Sequence, residues 1–257
     1  MLNLNLIKAN KGKINKCGGL VTVMQNENWM KLLGSPELSR IIAEINGDGH
    51  LQLQDWRGLV SFYSKNKEEI DTFLEKFKKF FGIEGRVYVD NRQHKRYKLF
   101  FISKPLAQFL NKAGAVKGNK TNQPFFVPRW IIKENKEVKK AYLKGIFAAE
   151  GYIYSTRIND AKIRWRIGLE QYKIESLRDE GKKYMEQIRT MLKEFEIKSS
   201  PVRFNGFTLR KDGTKSLGTR FDIEQKYFNN FYKEVGFDNK EKTEKLIIAM
   251  RGQLVGN

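Results

Sequence analysis

The sequence predicts an α+β fold made of two pseudosymmetric α-β-β-α-β-β-α repeats, each with a curved antiparallel sheet. Three observations indicate this fold. Segments of helical and strand periodicity follow the same order in both halves of the chain, the strand segments come in pairs, and a stretch without periodicity separates the halves. Two copies of one unit imply a pseudo-twofold axis and an interface of two helices, one from each copy.

The first repeat is predicted at residues 36–113, after an N-terminal extension (1–35) whose role the sequence leaves unassigned. Ser35 is a candidate N-cap for the first helix, and Gly49 is the residue type that would end it in a left-handed cap. Alternating leucines then predict a strand and a returning strand, followed by an amphipathic helix that Gly82 ends, two more strands and a helix.

Residues 114–128, "GAVKGNKTNQPFFVP", lack periodicity and are interpreted as a linker. The second repeat, 129–257, then begins the same order again. Its central helix and hairpin are longer than those of the first repeat, and Asp212-Gly213 is a candidate hairpin turn.

The chain is strongly basic, with 49 Lys and Arg against 29 Asp and Glu, so its formal net charge is 49 − 29 = +20. Such a surface suits an acidic partner, with nucleic acid as the first candidate and an anionic membrane as the second. The sequence contains no apolar run of the ~20 residues that a membrane span needs, and no apolar core of a signal peptide. We therefore expect a soluble intracellular protein, cytoplasmic or organellar, that does not bind membranes.

The cysteine and histidine content restricts the metal chemistry. The single cysteine, Cys17, cannot form an internal disulfide, and two histidines, His50 and His94, cannot build a zinc site of the usual kind. Any metal should therefore be a hard cation held by oxygen atoms.

Two segments at corresponding places, "AEINGDGHL" and "GIFAAEGYI", put an acid before a glycine at a helix end. The acids are Asp48 and Glu150. Small residues four apart would let the two helices meet along one seam: Ala43 with Gly47, and Gly145 with Ala149. Their C-terminal ends would then converge, where backbone carbonyls and helix dipoles favour a cation. Either segment alone is read as an ordinary cap, but the pair predicts a shared divalent ion such as Mg²⁺.

This pair of segments resembles the motifs of the LAGLIDADG homing endonucleases, in their single-chain form with two repeats, over roughly residues 36–250. The resemblance implies a DNA-binding saddle built from the two sheets. It also implies a metal site at Asp48 and Glu150, with Gly47 and Ala149 beside them. Two or three Mg²⁺ ions are expected there, and Ca²⁺ should support binding without cleavage.

The first motif departs from the family pattern at two positions. Glu44 stands where an apolar residue is usual, and Asn46 where the first acid often stands. Glu44 could be buried or could line the groove, and the sequence leaves both open.

The resemblance also implies a basic catalytic residue after the fourth strand of each repeat. The segments "FISKPLAQFL" and "DIEQKYFNNF" match that position with Lys104 and Lys226. A polar residue that closes the second strand would be Lys65 or Asn66 in one repeat, and Gln171 or Lys173 in the other.

Alternation predicts one wet face on each sheet, suited to base edges in a DNA major groove. In the first repeat, the solvent-exposed face should contain the polar residues of the first strand. Either Arg86 and Tyr88 of the third strand or Arg96 and Lys98 of the fourth strand should lie on the same face. In the second, Ile163, Trp165, Ile167 and Leu169 are expected to face the core. The candidate DNA-binding residues are His50, Gln52, Gln54, Arg86, Tyr88, Arg96, Lys98, Lys162, Arg164, Arg166, Arg203 and Arg210.

Together these features predict a monomeric, intron-encoded homing endonuclease that makes a Mg²⁺-dependent double-strand break in a long DNA target. One alternative is an RNA maturase on the same fold that binds intron RNA and assists splicing. A second is a DNA-binding regulator with an inactive site. An intein is disfavoured, because the sequence starts with Met1 rather than a nucleophile and ends in Gly256-Asn257 without a preceding histidine.

Overall fold

The computed structural model describes residues 27–91, 96–159 and 162–254. Most of the predicted N-terminal extension, including Cys17, lies outside this part of the chain, as does His94. The chain divides into two compact units. Unit 1 comprises the described residues up to Gly118 together with Pro128–Lys133, and unit 2 comprises Asn119–Val127 together with the described residues from Glu134 onward.

Unit 1 is a four-stranded antiparallel sheet, sheet 1, with helices on one face. Its strands are arranged in the order β1-β2-β4-β3. Its elements are α1 (Glu27–Lys31), α2 (Pro36–Asn46), β1 (His50–Leu53), β2 (Gly58–Ser64), α3 (Lys67–Phe81), β3 (Arg86–Asp90), β4 (Arg96–Ile102), α4 (Lys104–Ala113) and α5 (Arg129–Lys133).

Unit 2 repeats this plan with sheet 2, in the order β5-β6-β8-β7. Its elements are α6 (Lys136–Glu150), β5 (Gly151–Asn159), β6 (Lys162–Ile174), α7 (Arg178–Lys193), β7 (Arg203–Leu209), β8 (Lys215–Asp222), α8 (Phe228–Glu234) and α9 (Lys240–Leu254). Short 3-10 helices lie at Lys120–Asn122, Glu175–Leu177 and Gln225–Tyr227. The predicted duplicated α+β fold is confirmed, because both units contain the order α-β-β-α-β-β-α and the same strand order.

Local sequence signals explain the helices of unit 1. Ser35 caps α2, and its Oγ accepts a hydrogen bond from the Leu38 N–H at 3.1 Å. Asn66 caps α3 in the same way, and Gly82 ends that helix with φ +64°, a left-handed conformation that favours glycine. The predicted start of α2 and the predicted end of α3 are both confirmed.

An aromatic cluster fills the core between α3 and sheet 1. Phe77 is fully buried, stacks on Phe101 at a ring distance of 4.4 Å, and meets Phe62 edge-on at 5.7 Å. Trp29 of α1 extends the cluster, because its ring lies against Phe81 and its indole N–H donates to the Phe81 carbonyl at 2.9 Å. One face of α3 therefore holds the sheet on which the site residues lie.

The division between the units falls inside the predicted linker. Asn46 in α2 accepts a hydrogen bond from the Val116 N–H at 2.8 Å, and Lys117 forms a parallel bridge with Leu51. Trp130, in the predicted second repeat, is buried and donates to the Ala113 carbonyl of unit 1. The first part of the predicted linker therefore packs within unit 1, and α5 also belongs to unit 1.

A buried lysine holds the linker region onto unit 2. Lys173 is 1% exposed and lies on the side of β6 that faces α7, against Gly181. Its Nζ donates to the carbonyls of Lys120 and Gln123, and lies 3.8 Å from the centre of the Phe125 ring. This position is in the core, whereas the sequence suggested a polar residue that closes the strand beside the site.

No helix in the described ranges is long and apolar enough to cross a membrane.

The environment of Lys173 predicts a pH-dependent stability. Burial lowers its pKa to about 7, and the charge of Lys120 acts in the same direction. Because the unfolded chain keeps the ordinary pKa near ~10.4, it binds a proton above pH 7 that the folded protein does not bind. The free energy of unfolding should therefore rise between pH 7 and about 10, by at most about 1.4 kcal/mol per pH unit.

Urea unfolding of the wild-type protein and Lys173→Met across this pH range measures the contribution, because other titrating groups cancel in the difference. The variant should lose this part of the slope. Parallel stability profiles for the two proteins would contradict the assignment.

Candidate active site and nucleic-acid face

Both predicted acids lie where a helix passes into a strand. In unit 1, α2 ends at Asn46, Gly47 donates its N–H to the Ala43 carbonyl, and the exposed Asp48 precedes β1. In unit 2, Glu150 is itself the last residue of α6, and β5 starts at the next residue. Each acid is therefore at the C-terminal end of a helix, as predicted.

The expected left-handed cap at Gly49 is wrong. Helix α2 ends at Asn46 and is capped by Gly47 with φ −82°, and Gly49 is not among the residues with positive φ. Glycine is required at position 49 because the backbone there lies very close to the preceding helix and to a side chain of the sheet. A Cβ on Gly49 would lie 2.7 Å from the Ile45 Cα and 3.0 Å from the Phe62 ring.

The glycine after Glu150 is required for the same reason. A Cβ on Gly151 would lie 2.3 Å from the carbonyl oxygen of Phe147, four residues earlier, just as Gly49 meets Ile45 four residues earlier. In both units the chain folds back over the last turn of the helix immediately after the acid. This contact sets where the acid lies relative to the helix end and the first strand.

The charge around these two helix ends differs from that at other helices. The last turns of α2 and α6 contain no basic residue. Every other described α-helix has one there: Lys31, Lys78 and Lys79, Lys112, Lys133, Lys193, Lys233 and Arg251. Because lysine and arginine in the last turn normally satisfy the negative end of the helix dipole, their absence leaves these ends suited to a cation from another segment or from solution.

The two departures from the family motif have structural roles in unit 1. Glu44 is 4% exposed, and its carboxylate pairs with Lys76 at 2.6 Å and Arg40 at 3.0 Å. Asn46 is 1% exposed; it donates to the Gly114 carbonyl at 3.2 Å and also accepts from Val116. Glu44 is thus a buried ion-pair residue. Of the two alternatives that the sequence left open, buried or lining the groove, the structure shows the first.

The structure places Lys104 away from its acid. Its Nζ donates to the backbone carbonyl of Asp55, in the turn that follows β1, whereas Asp48 precedes β1. The four residues of β1 alone span about 13 Å at ~3.3 Å per residue. Lys226 occupies the matching position after β8, where its Nζ lies 3.6 Å from Glu224.

Two other lysines contact the strand that begins just after each acid. Lys117 pairs with Leu51, three residues after Asp48, and the following residue donates its N–H to the Leu51 carbonyl at 2.7 Å. In unit 2, the Nζ of Lys242 donates to the carbonyl of Gly151, the residue after Glu150, at 2.7 Å. Neither lysine was predicted from the sequence as a site residue. A shared signal exists, because each lysine comes after the last helix that is common to both repeats, which is α4 in unit 1 and α8 in unit 2.

The donor set at each helix end is small. Within the described ranges, no group of three or more His, Cys, Asp or Glu side chains could hold a metal ion. One acid per unit fits a hard divalent cation only if backbone oxygen atoms and water complete its ligands, which is the usual arrangement for Mg²⁺.

The open face of sheet 1, opposite its helices, mixes basic and aromatic side chains. The register pairs Arg86 with Phe100, Tyr88 with Lys98 and Asp90 with Arg96, so both predicted sets of residues share one face. Tyr88 stacks on Phe100 at 5.2 Å, and the Lys98 ammonium lies 5.3 Å from the Tyr63 ring. His50 and Gln52 in β1 share this face through their partners in β2, and Gln54 follows β1 and is exposed.

Sheet 2 has a comparable open face. Arg164 and Arg166 lie on it as predicted, and Arg203 joins them because it pairs with Arg220. Arg210 instead donates to the Asn122 side chain in the linker region, and the side chain of Lys162 lies outside the described residues.

The core prediction for β6 is only partly correct. Ile167 and Leu169 are buried, Trp165 is half-buried, and Ile163 is 60% exposed. Ile163 pairs with the exposed Arg157 near the end of the β5–β6 hairpin, where the core no longer covers the sheet.

A family comparison agrees with the geometry of unit 2. Residues 137–236 match the family model described as "LAGLIDADG-like domain". Unit 2 thus contains a LAGLIDADG-like domain. The matched segment includes most of α6, Glu150 and all four strands of sheet 2.

The chain is also similar to segments of much longer proteins. It is 28% identical over 226 residues to the tRNA-splicing ligase RtcB of Pyrococcus furiosus, which covers 82% of this chain but 22% of that protein. It is 32% identical over 176 residues to the replication factor C small subunit of Methanocaldococcus jannaschii, which covers 63% of this chain and 9% of the relative. The chain thus spans less than a quarter of the length of either relative.

A solved structure has the same fold. The homing endonuclease I-WcaI bound to its DNA recognition sequence matches with a TM-score of 0.51 and 16% identity, over 82% of this chain and 85% of that one. At this identity the match supports the fold alone.

Substitution of Gly151 by alanine tests the close approach that places Glu150. The new Cβ would meet backbone rather than a flexible side chain, so Gly151→Ala should destabilise the protein by about 1–3 kcal/mol. Gly49→Ala should have the same sign with a smaller effect, because its contact distance is longer. Urea unfolding measures both, and wild-type stability for Gly151→Ala would contradict this explanation.

Proposed function

We propose that the protein is a sequence-specific homing endonuclease that makes a Mg²⁺-dependent double-strand break in a long duplex DNA target. One observation carries the proposal: in both units an acid lies at a glycine-closed helix end that lacks a basic residue in its last turn. These two acids place negative charge on a chain of net charge +20 that is suited to DNA, and a bound divalent cation would offset it.

The recurrence of this segment supports a homing role. It forms a small part of relatives with different names, a tRNA-splicing ligase and a replication factor subunit. A coding segment that appears in unrelated proteins behaves as a mobile insert, and a cut in an uninterrupted copy of the host gene is the reaction that spreads it. These relatives contain the segment within a longer protein, so the proposal includes an in-frame insert as well as an intron as its coding context.

The acids are proposed to act as metal ligands. Asp48 and Glu150 would hold the divalent ions, with the neighbouring backbone at Gly47 and Ala149, and each acid would principally serve one DNA strand. When bound, such ions activate water and stabilise the leaving 3′ oxygen.

The lysines beside the acids are proposed to stabilise charge on the attacked phosphate. The backbone of Lys117 bridges Leu51, three residues after Asp48, and the Lys242 Nζ donates to the carbonyl of Gly151, the residue after Glu150. An ammonium group near the phosphate lowers the energy of the negatively charged transition state. The open faces of the two sheets would bind the duplex, and their cationic side chains would make the affinity strongly dependent on salt.

Removal of the acids should separate cleavage from binding. Asp48→Asn and Glu150→Gln should abolish double-strand cleavage with Mg²⁺ and leave sequence-specific binding, because both changes keep the shape of the side chain. The measurement is the cleavage of a plasmid library with randomised inserts, followed by sequencing of the cut ends. Glu44→Gln is not a suitable control, because it would break a buried ion pair.

The matched control for that measurement is Asp179→Asn. It makes the same charge change at an exposed helical position, and cleavage should remain. Unchanged cleavage by Asp48→Asn would refute the assignment, and wild-type protein that binds DNA but never cuts would favour a regulator.

Lys117 and Lys242, compared with Lys104 and Lys226, give a second test. Loss of the first pair should slow cleavage, and loss of the second pair should not. Lys117→Met and Lys242→Met should each slow cleavage by about 10²-fold or more, because they remove charge near an acid. Lys104→Met should change the rate little, because its ammonium lies at the other end of β1. Single-turnover rates on a selected target measure this. The reverse order would restore the sequence-based assignment of Lys104 and Lys226.

A further inference from the structure

Asp222 is the centre of a charged cluster on the open face of sheet 2. Its Oδ2 accepts hydrogen bonds from Arg166, at 3.1 Å, and from Arg203, and it lies 3.9 Å from Arg220. Its Oδ1 accepts from the Tyr152 hydroxyl at 2.5 Å. These five residues come from all four strands of the sheet, and we call them the Asp222 cluster.

The register places the Asp222 cluster close to Glu150 along β5. Asp222 pairs with Gly168, which pairs with Tyr152, two residues after Glu150. Gly168 leaves the space for this arrangement, because a Cβ there would lie 2.5 Å from the Tyr152 hydroxyl and 2.1 Å from the Phe221 carbonyl. The backbone therefore fixes the Tyr152 ring over the strand and its hydroxyl against Asp222.

The carboxylate restrains arginines that would otherwise be mobile. Burial acts to raise the pKa of Asp222, but the hydrogen bonds from Tyr152 and Arg203 outweigh it, and the pKa lies below its usual value. Three guanidinium groups around one carboxylate leave a local charge of 3 − 1 = +2. Each guanidinium has five N–H donors, so donors remain for a ligand on the open face.

We infer that Asp222 is a positioning residue for sequence recognition, holding Arg166 and Arg203 so that their remaining N–H groups meet base edges beside the cut. The inference rests on the proposed function. A guanidinium contacts guanine with two parallel hydrogen bonds only when its plane is held in place. An unrestrained arginine on so basic a surface binds phosphates of any sequence instead. The acid lowers total attraction to DNA and increases discrimination.

The test compares Asp222→Asn with the wild-type protein on two DNA probes. The first probe is a 30-base-pair duplex of random sequence, and the second is a pool selected by the wild-type protein from a randomised library. Asp222→Asn should bind the random duplex more tightly, with a slope of log K against log salt steeper by up to about 0.9. Its preference at the base pairs beside the cut should fall roughly tenfold.

Two further variants distinguish a loss of arginine positioning from a change in net charge and from a failure to fold. Asp179→Asn makes the same change in net charge on an exposed helix, and should keep the wild-type base preference. Arg203→Lys keeps the charge but loses the planar fork, so it should lose preference at the same base pairs without tighter binding to the random duplex. If Asp222→Asn does not fold, the comparison of Arg203→Lys with the wild-type protein still tests the inference.

The outcomes distinguish this inference from the proposed function. If Asp222→Asn and Arg203→Lys both keep the wild-type base preference, the positioning role is wrong while the proposed function stands. If the wild-type protein enriches no sequence from the library, the proposed function fails and the inference fails with it. Tighter random binding together with weaker preference, absent in Asp179→Asn, supports the inference.

Discussion

The close approach of a glycine to the residue four positions earlier is the constraint on which the rest of the site depends. Gly49 against Ile45 and Gly151 against Phe147 fold the chain back over a helix end, immediately after an acid. A side chain at either glycine would push the first strand away and move the acid with it. One backbone contact therefore links the helix dipole, the carboxylate and the strand that begins the sheet.

Local patterns were enough to predict the duplicated fold, because helix caps and strand alternation depend on neighbours in sequence. Ser35 and Gly82 were assigned correctly for this reason. The same patterns could not show that Gly47, rather than Gly49, caps α2, since that depends on how closely β1 approaches the helix. The exposure of Ile163 likewise depends on where the core ends.

Contacts between distant segments were not predictable. Lys117 reaches β1 through a bridge to Leu51, and Lys242 reaches Gly151 from the helix at the end of unit 2. In a chain with 49 basic residues, no local signal separates them from Lys104. The role of Glu44 was undecided for the same reason, because its partner Lys76 lies 32 residues away. The buried Glu44 is thus paired within unit 1, and basic side chains lie on the open faces of both sheets.

The central proposal is that Asp48 and Glu150 each hold a divalent ion at the end of a helix. Fe²⁺ bound in place of Mg²⁺, with ascorbate and peroxide, cuts a polypeptide backbone next to the metal, so the fragments report where the ion lies. In the presence of target DNA, the account predicts cuts near residue 48 that are lost in Asp48→Asn, and cuts near residue 150 that are lost in Glu150→Gln. An absence of cuts near both acids, or cuts that persist when the neighbouring acid is replaced, would contradict it.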